Sequence, residues 1–320
     1  MKKVLFLILI LALFSCKKPK DGVPTLTTTE ITKITGNSAT SGGNIIDEGS
    51  GTITARGVCW SKDITPTIKD NKTSDGAGAG TFTSSISGLS IGTTYYTRAY
   101  ATNSSGTGYG MVLSFSTPIA DFDGNFYHTI KIGSQIWMVE NLKTTKYSDG
   151  NPISNITSNT QWGSLTTGAY CDYNNDKTNS DTYGRLYNWY AINSEKLCPT
   201  GSHVSTYTEW ATIILSLGGD TTLGGSLDLA GCKLKEAGVT HWWGPNIGAT
   251  NEVGFTALPG AYRKDDGTWG YTIGVSGFWW TSTRFRTNQA KNWYLDYRFK
   301  NAYWNNLYNN SGFSVRCVID

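Results

Sequence analysis

Leu197-Cys-Pro-Thr-Gly-Ser-His-Val-Ser-Thr-Tyr-Thr-Glu-Trp210 is the stretch around which residues 121–320 of this 320-residue chain are organised. Gly201 marks a turn, and Thr206 with Glu209 has the spacing of a capping box, so a helix is predicted to begin at Tyr207. Trp210, Ile213, Ile214 and Leu217 recur at helical spacing, and Gly218-Gly219 ends the run. Cys198 therefore sits a short turn upstream of an amphipathic helix. Far downstream, Gly312-Phe-Ser-Val-Arg-Cys317-Val-Ile reads as an alternating strand carrying another cysteine.

Working outward, eleven of the twelve Trp, all three His and four of the six Cys lie beyond residue 120. Any function is expected there. Strands are predicted near 127–132 and 135–139, helices near 185–192, from 207 and over 227–236, and short strands with long loops from 255 onward. Four cysteines in this half, Cys171, Cys198, Cys232 and Cys317, allow three connectivities.

Before it, residues 24–118 are rich in Thr, Ser and Gly and sustain no helical period. Candidate strands at 38–46, 53–60, 80–86, 95–103 and 111–117, separated by glycine turns, predict a small all-β sandwich. Leu89-Ser-Ile-Gly-Thr-Thr-Tyr95 resembles the tyrosine corner of fibronectin type III modules, which implies a buried Tyr95. No residue cluster here suggests chemistry, so a spacer is the expected role, and Cys59 beside Trp60 is expected to be a buried free thiol.

The chain opens with Met1-Lys2-Lys3 and an apolar run, a leader too short for a resident membrane span. It ends in Leu13-Phe-Ser-Cys16, which resembles the bacterial lipobox. The expectation is a signal peptide over 1–15, lipidation of Cys16, a tether over 16–23 and a cell-envelope location as an outer-membrane lipoprotein. Lys17, Lys18 and Lys20 would lie near lipid headgroups.

The motifs of the second half resemble the Fibrobacter succinogenes major paralogous domain. They are Asp121-Phe-Asp-Gly-Asn125, Lys131-Ile-Gly-Ser-Gln-Ile-Trp-Met-Val-Glu-Asn-Leu142, Tyr183-Gly-Arg-Leu-Tyr-Asn-Trp-Tyr190, the Cys198 stretch, Gly254-Phe-Thr-Ala-Leu-Pro-Gly260, Phe278-Trp-Trp-Thr-Ser-Thr283 and the Cys317 ending. Ser202 departs from the family, where Trp more often precedes the His. The resemblance implies an α+β, C-type lectin-like fold over 121–320, and so a multi-domain chain in which a fibronectin III-like sandwich precedes it. It also implies a Cys198–Cys317 disulfide. A loop of more than a hundred residues closed in this way is worth about 4.7 kcal/mol by chain entropy. Cys171 with Cys232 is the remaining pair, with a buried free thiol at Cys232 as the alternative.

Charge is nearly balanced, 27 Lys and Arg against 24 Asp and Glu. With basic residues scattered rather than striped, nothing points to nucleic acid. Asp172, Asn174, Asp176 and Asp181 place oxygens in a polar loop, but the Gly and bidentate Glu of an EF-hand are missing. An Asx-rich turn is expected, with a loop-stiffening Ca2+ as the alternative. Gly244-Pro-Asn246 lacks the carboxylate of calcium-dependent sugar binders. There is no Gly-x-Ser-x-Gly, His-Glu-x-x-His, Cys-x-x-Cys or phosphate loop. The sulfatase-modifying relatives of this fold use a close cysteine pair that is missing here. The remaining candidates are aromatic: Trp242, Trp243, Trp269, Trp293 and Trp304, whose exposed faces would stack on a glycan or grip an envelope protein. In an adjacent pair such as Trp279-Trp280, alternation is expected to leave one ring in the core. The expectation is a non-catalytic recognition protein, the alternatives being a polysaccharide-acting enzyme and a structural envelope protein.

Overall fold

A computed structural model describes residues 22–221 and 229–320. The leader, Cys16 and most of the tether lie outside the described residues. Two compact units are present. One takes the described residues up to Lys33, Ala39–Ser87 and Tyr95–Phe115; the other takes Ile34–Ser38, Gly88–Thr94 and Ser116–Asp320. Among the described residues no helix is long and apolar enough to cross a membrane.

The first unit is two antiparallel sheets. One orders Thr25–Thr32, Ser38–Asp47 and Gly80–Ser87; the other orders Asn71–Lys72, Ala55–Ser61, Thr94–Asn103 and Gly106–Tyr109, with Leu113–Ser116 also paired to Thr94–Asn103. In Gly80–Ser87 burial alternates strictly, Phe82, Ser84 and Ile86 facing inward, as a half-buried strand requires. The sheets pack so closely that a Cβ on Gly43 would lie 2.7 Å from the Ala99 Cβ of the other sheet. Tyr95 is buried and stacks on Phe115 at 5.9 Å. Cys59 is a buried free thiol pushed up to about 11 by burial.

The second unit is mostly sheet and loop with few, short helices. The predicted capping box forms: Thr206 Oγ1 accepts from Glu209 N at 3.1 Å, and a Glu209 carboxylate oxygen accepts from Thr206 N at 2.7 Å. The helix Tyr207–Ser216 buries Trp210, Ile213 and Ile214. The final strand, Cys317–Ile319, is central in a four-stranded sheet between Gln135–Met138 and Ser202–Val204, with Thr129–Ile132 outermost. The Cys198–Cys317 disulfide ties it to the turn before the helix, its Cα atoms 6.0 Å apart.

Two predicted helices are shorter than expected. Leu186–Tyr187 is a strand against Ala169–Cys171, and the helix begins only at Trp189, because Asn188 Oδ1 accepts from both Ala169 N and Ala191 N. The segment predicted over 227–236 is helical from Ala230 to Leu234, and residues 227–228 lie outside the described residues.

Much of the unit is irregular backbone, and its carbonyls need donors. Three cations of zero exposure supply them. Arg316 donates to Asn141 Oδ1 and the carbonyls of Met138, Phe255 and Thr256; burial pulls its pKa down to about 9. Arg263 donates to the carbonyls of Gly267, Ile156 and Thr157 and to Asn159 Oδ1. Lys235 donates to the carbonyls of Ile247, Asp296 and Phe299, and burial lowers it to about 8. Side-chain donors thus replace the regular ladders that these loops lack.

Candidate functional site

The antiparallel sheet Ser276–Arg286, Gln289–Asp296 and Ala302–Tyr308 carries two aromatic ladders, one on each face. Its register aligns Trp279, Trp293 and Trp304 across the strands, and one residue along aligns Phe278, Tyr294 and Tyr303. Successive side chains alternate between faces, so the two rows point oppositely.

The tryptophan row is core at its inner end. Trp279 and Trp293 are fully buried with Trp137, Trp210 and Phe255. Trp210 lies 5.8 Å from Trp279 and 5.1 Å, edge-on, from Trp137. The helix Tyr207–Ser216 therefore docks on this face.

The other row grades from core to solvent. Phe278 is buried, whereas Tyr294 and Tyr303 are half-buried. Phe278 and Tyr294, and then Tyr294 and Tyr303, are near-parallel, each pair 5.2 Å apart. Phe299 meets Tyr303 edge-on at 5.8 Å, while Tyr271 stacks on Phe278 at 6.3 Å and Tyr262 contacts Phe278 at 4.6 Å. Tyr271 is 48% exposed and Phe299 43%. The result is a continuous face of four tyrosines and two phenylalanines, graded from buried Phe278 to exposed Tyr271 and Phe299.

Charge gathers at its rim. Asp296 accepts from Arg298 Nε at 2.8 Å and Nη2 at 2.9 Å, and from Ser276 Oγ at 2.7 Å. Burial alone would raise the Asp296 carboxyl, but these bonds outweigh it and hold the pKa below the ordinary value. The Tyr294 hydroxyl is pushed up first by burial, then by neighbouring Tyr303, Asp296 and Tyr271. The Tyr262 hydroxyl is raised by burial and then by Tyr271, Asp265 and Asp266. Hydroxyls and carboxylates thus converge around a ring-lined surface, an arrangement able to stack on a flat apolar ring while bonding its hydroxyls.

The tryptophans singled out from sequence divide. Trp243 is 51% exposed, set beside Gly274, where a Cβ would lie 2.3 Å from the indole. Trp304 and Trp269 are half-buried. Trp269 forms one wall against the Arg263 guanidinium at 4.9 Å, Trp162 the other at 4.5 Å. Trp242 and Trp293 are corrections: each is 1% exposed, Trp242 donating to the Ala257 carbonyl and Trp293 lying inside the tryptophan row, so neither is available to a ligand. Trp279 and Trp280 are both core, because that part of the sheet is covered on both faces.

The Asp-rich loop is turn and cap chemistry. Asp172 is buried against Arg185 at 3.1 Å, an ion pair without directed hydrogen-bond geometry. Asp176 caps the helix Lys177–Tyr183 through Thr178, Asn174 sits in a turn at φ 54°, and Asp181 is exposed on the helix. These oxygens do not converge on a calcium-sized site, and among the described residues no group of three or more His, Cys, Asp or Glu is placed to hold a metal. Cys171 and Cys232 are not paired. Cys171 lies in a cluster with Trp162 and Ala261, while Cys232 Sγ donates to Leu229 O at 2.8 Å on a different element.

Sequence reasoning missed Tyr262, Tyr271, Tyr294, Phe299 and Tyr303. The signal was present: the aromatic pairs Phe278-Trp279, Trp293-Tyr294 and Tyr303-Trp304 alternate in order, as antiparallel neighbours sharing two ladders must.

The sequence model of the Fibrobacter succinogenes major domain matches residues 130–319. No curated protein matches the chain. Three similar solved structures each correspond to about a third of it. The sensor domain of the anti-sigma factor RsgI4 in Pseudobacteroides cellulosolvens is 16% identical, covering 30% of this chain and 75% of that chain, TM-score 0.23. The third fibronectin III domain of human KIAA0343 protein is 12% identical, covering 34% and 93%, TM-score 0.24. The sixth fibronectin type III domain of human fibronectin type III domain containing protein 3 is 22% identical, covering 32% and 92%, TM-score 0.24.

Proposed function

The chain belongs to the Fibrobacter succinogenes major domain family, and from that premise we propose that it is a lipid-anchored envelope protein whose family domain recognises a glycan without catalysing its conversion. In this reading the fold of the domain is C-type lectin-like, the N-terminal sandwich is a fibronectin III-like spacer, and the lipobox ending at Cys16 supplies the outer-membrane anchor.

One observation carries the recognition reading. Tyr271 and Phe299 stand exposed at the two ends of a ring-lined face whose middle is the half-buried pair Tyr294 and Tyr303. A ring-lined surface built from tyrosines suits a sugar, whose ring face is apolar and whose edge is polar. Exposed Asp265, Asp266 and Arg298 supply acceptors and donors to orient the hydroxyls, with buried Asp296 holding Arg298 in place. This assignment differs from the calcium-mediated mode, since it uses no metal.

A glycan array probed with the oxidised mature chain tests it. Dose-dependent binding to a defined sugar, reduced tenfold or more by Tyr271→Ala, supports the reading. Absence of binding to every glycan refutes it, and retained capture of an envelope protein by the same face would reassign the partner class.

A further inference from the structure

The opposite face of the same sheet holds a second arrangement, independent of the tyrosine face. Lys291 lies two residues before Trp293 and so on the tryptophan side. Its ammonium stands 3.7 Å from the centre of the Tyr207 ring and 4.5 Å from that of Trp304. Those two rings meet at 74°, forming two walls of a corner. Trp304 is fixed there by donating its indole N–H to Thr221 O at 2.8 Å.

Lys291 is unlike the buried cations described above. Lys235 spends its donors on three carbonyls, whereas among the described residues neither a carbonyl nor a carboxylate pairs with the Lys291 ammonium. Burial is the single influence on its pKa, which it lowers. Glu209, two residues from Tyr207, is engaged by Thr206 and by His203. Beyond Lys291 the hairpin is basic: residues 281–292 contain Arg284, Arg286 and Lys291 and no Asp or Glu. Arg284, Phe285 and Arg286 are exposed, and the register sets Arg286 opposite Gln289, two residues from Lys291 on the same side.

A half-buried ammonium between aromatic walls keeps N–H donors that the described residues do not use. An anionic oxygen would take them in a charge-assisted hydrogen bond, stronger than one between neutral groups. A sugar ring attached to that anion would lie along the aromatic wall. We propose that Lys291, Tyr207 and Trp304 form a subsite for an acidic sugar, bearing a carboxylate or a sulfate, within an anionic polysaccharide. Nucleic acid fits less well, because tracking phosphodiesters takes a basic groove with successive stacking platforms, whereas this is one cation in one corner.

The test is binding of the mature chain to dextran sulfate and polygalacturonate, with uncharged dextran as the neutral probe. Lys291→Gln should weaken both polyanions about tenfold, the scale of one charge-assisted hydrogen bond. Lys291→Arg should stay within about threefold of the parent, since Arg keeps the charge, N–H donors and an affinity for aromatic faces, and raising salt should weaken binding. Tyr271→Ala should leave polyanion binding unchanged, which separates this subsite from the glycan face. Lys291→Gln gives up two cation–π contacts and should lower the melting temperature by a few degrees while keeping a cooperative transition, so a loss of polyanion binding at about 25 °C is read on folded protein. Parental polyanion affinity in Lys291→Gln overturns the proposal. So does a Lys291-dependent interaction confined to phosphatidylglycerol vesicles or a single-stranded oligonucleotide.

Discussion

Replacing Arg263 with Met asks whether a buried cation holds the irregular half of the second unit together. Arg263 reaches four acceptors: Gly267 O at 2.8 Å, Ile156 O at 2.6 Å, and Thr157 O and Asn159 Oδ1 at 3.0 Å each. Met fills much of the same volume and donates nothing. Gly267 O and Ile156 O, left bare, cost about 1–3 kcal/mol each, whereas Thr157 and Asn159 are on exposed residues and can be rehydrated; loss of the two tryptophan faces adds about 2 kcal/mol. Relief from burying a charge returns several kcal/mol, so the net loss is about 3 kcal/mol. For a unit of this size that lowers the melting temperature by about 6–12 °C. Urea unfolding should show a lower midpoint with an unchanged slope. Arg263→Lys should do no better than Met, because one ammonium cannot span acceptors arranged for a planar fork. A Met variant within about 1 kcal/mol of the parent would refute the reasoning.

The remaining predictions are briefer. Reduction of Cys198–Cys317, or its replacement by a Ser pair, should cost about 4.7 kcal/mol in the chain-entropy estimate, read as a lowered urea midpoint. Alkylation of denatured, unreduced protein should label Cys59, Cys171 and Cys232 and spare Cys198 and Cys317. His203 is held between Asp320 at 2.6 Å and Glu209 at 2.8 Å. Burial lowers its pKa, but the two carboxylates outweigh that and raise it above the ordinary value. Its contribution is therefore full below about pH 6.5 and lost as pH rises through the raised value. Solvent screening keeps it under about 1 kcal/mol. A pH series of melting temperatures should show this fall, and His203→Ala should flatten it. Because Asp172 and Asp176 are already engaged, calcium should leave the melting temperature of the oxidised chain unchanged, measured against a chelator.

What was legible in the sequence was whatever depends on short-range spacing. The capping box at Thr206 and Glu209, the apolar stripe through Trp210, Ile213 and Ile214, and alternating strands such as Gly80–Ser87 are local and formed as expected, whereas the polar strands Thr25–Thr32 and Gly106–Tyr109 carry no such mark. The helix expected over 185–192 starts only at Trp189 because Asn188 Oδ1 satisfies two backbone donors at once, a tertiary arrangement that periodicity does not encode. Burial of Trp242 and Trp293 was invisible for a related reason. Whether an indole is wall or surface depends on what covers the sheet, and at Trp279-Trp280 both faces are covered. The tyrosine face is marked in the sequence only by the alternating order of the paired aromatics, and it becomes a face only when three strands come into register. The buried cations were also unmarked: Arg263, Arg316 and Lys235 look in sequence like any solvated basic residue.

The most direct test of the glycan account is the affinity of the oxidised mature chain for the best sugar on an array, compared across the parent, Tyr271→Ala and Trp243→Ala. Stacking loss at Tyr271 should weaken binding tenfold or more, a difference of about 1.4 kcal/mol, while Trp243→Ala, outside the ladder, should bind as the parent does. Equal affinity of the parent and Tyr271→Ala for that sugar would contradict the claim that the tyrosine face is where this protein recognises its ligand.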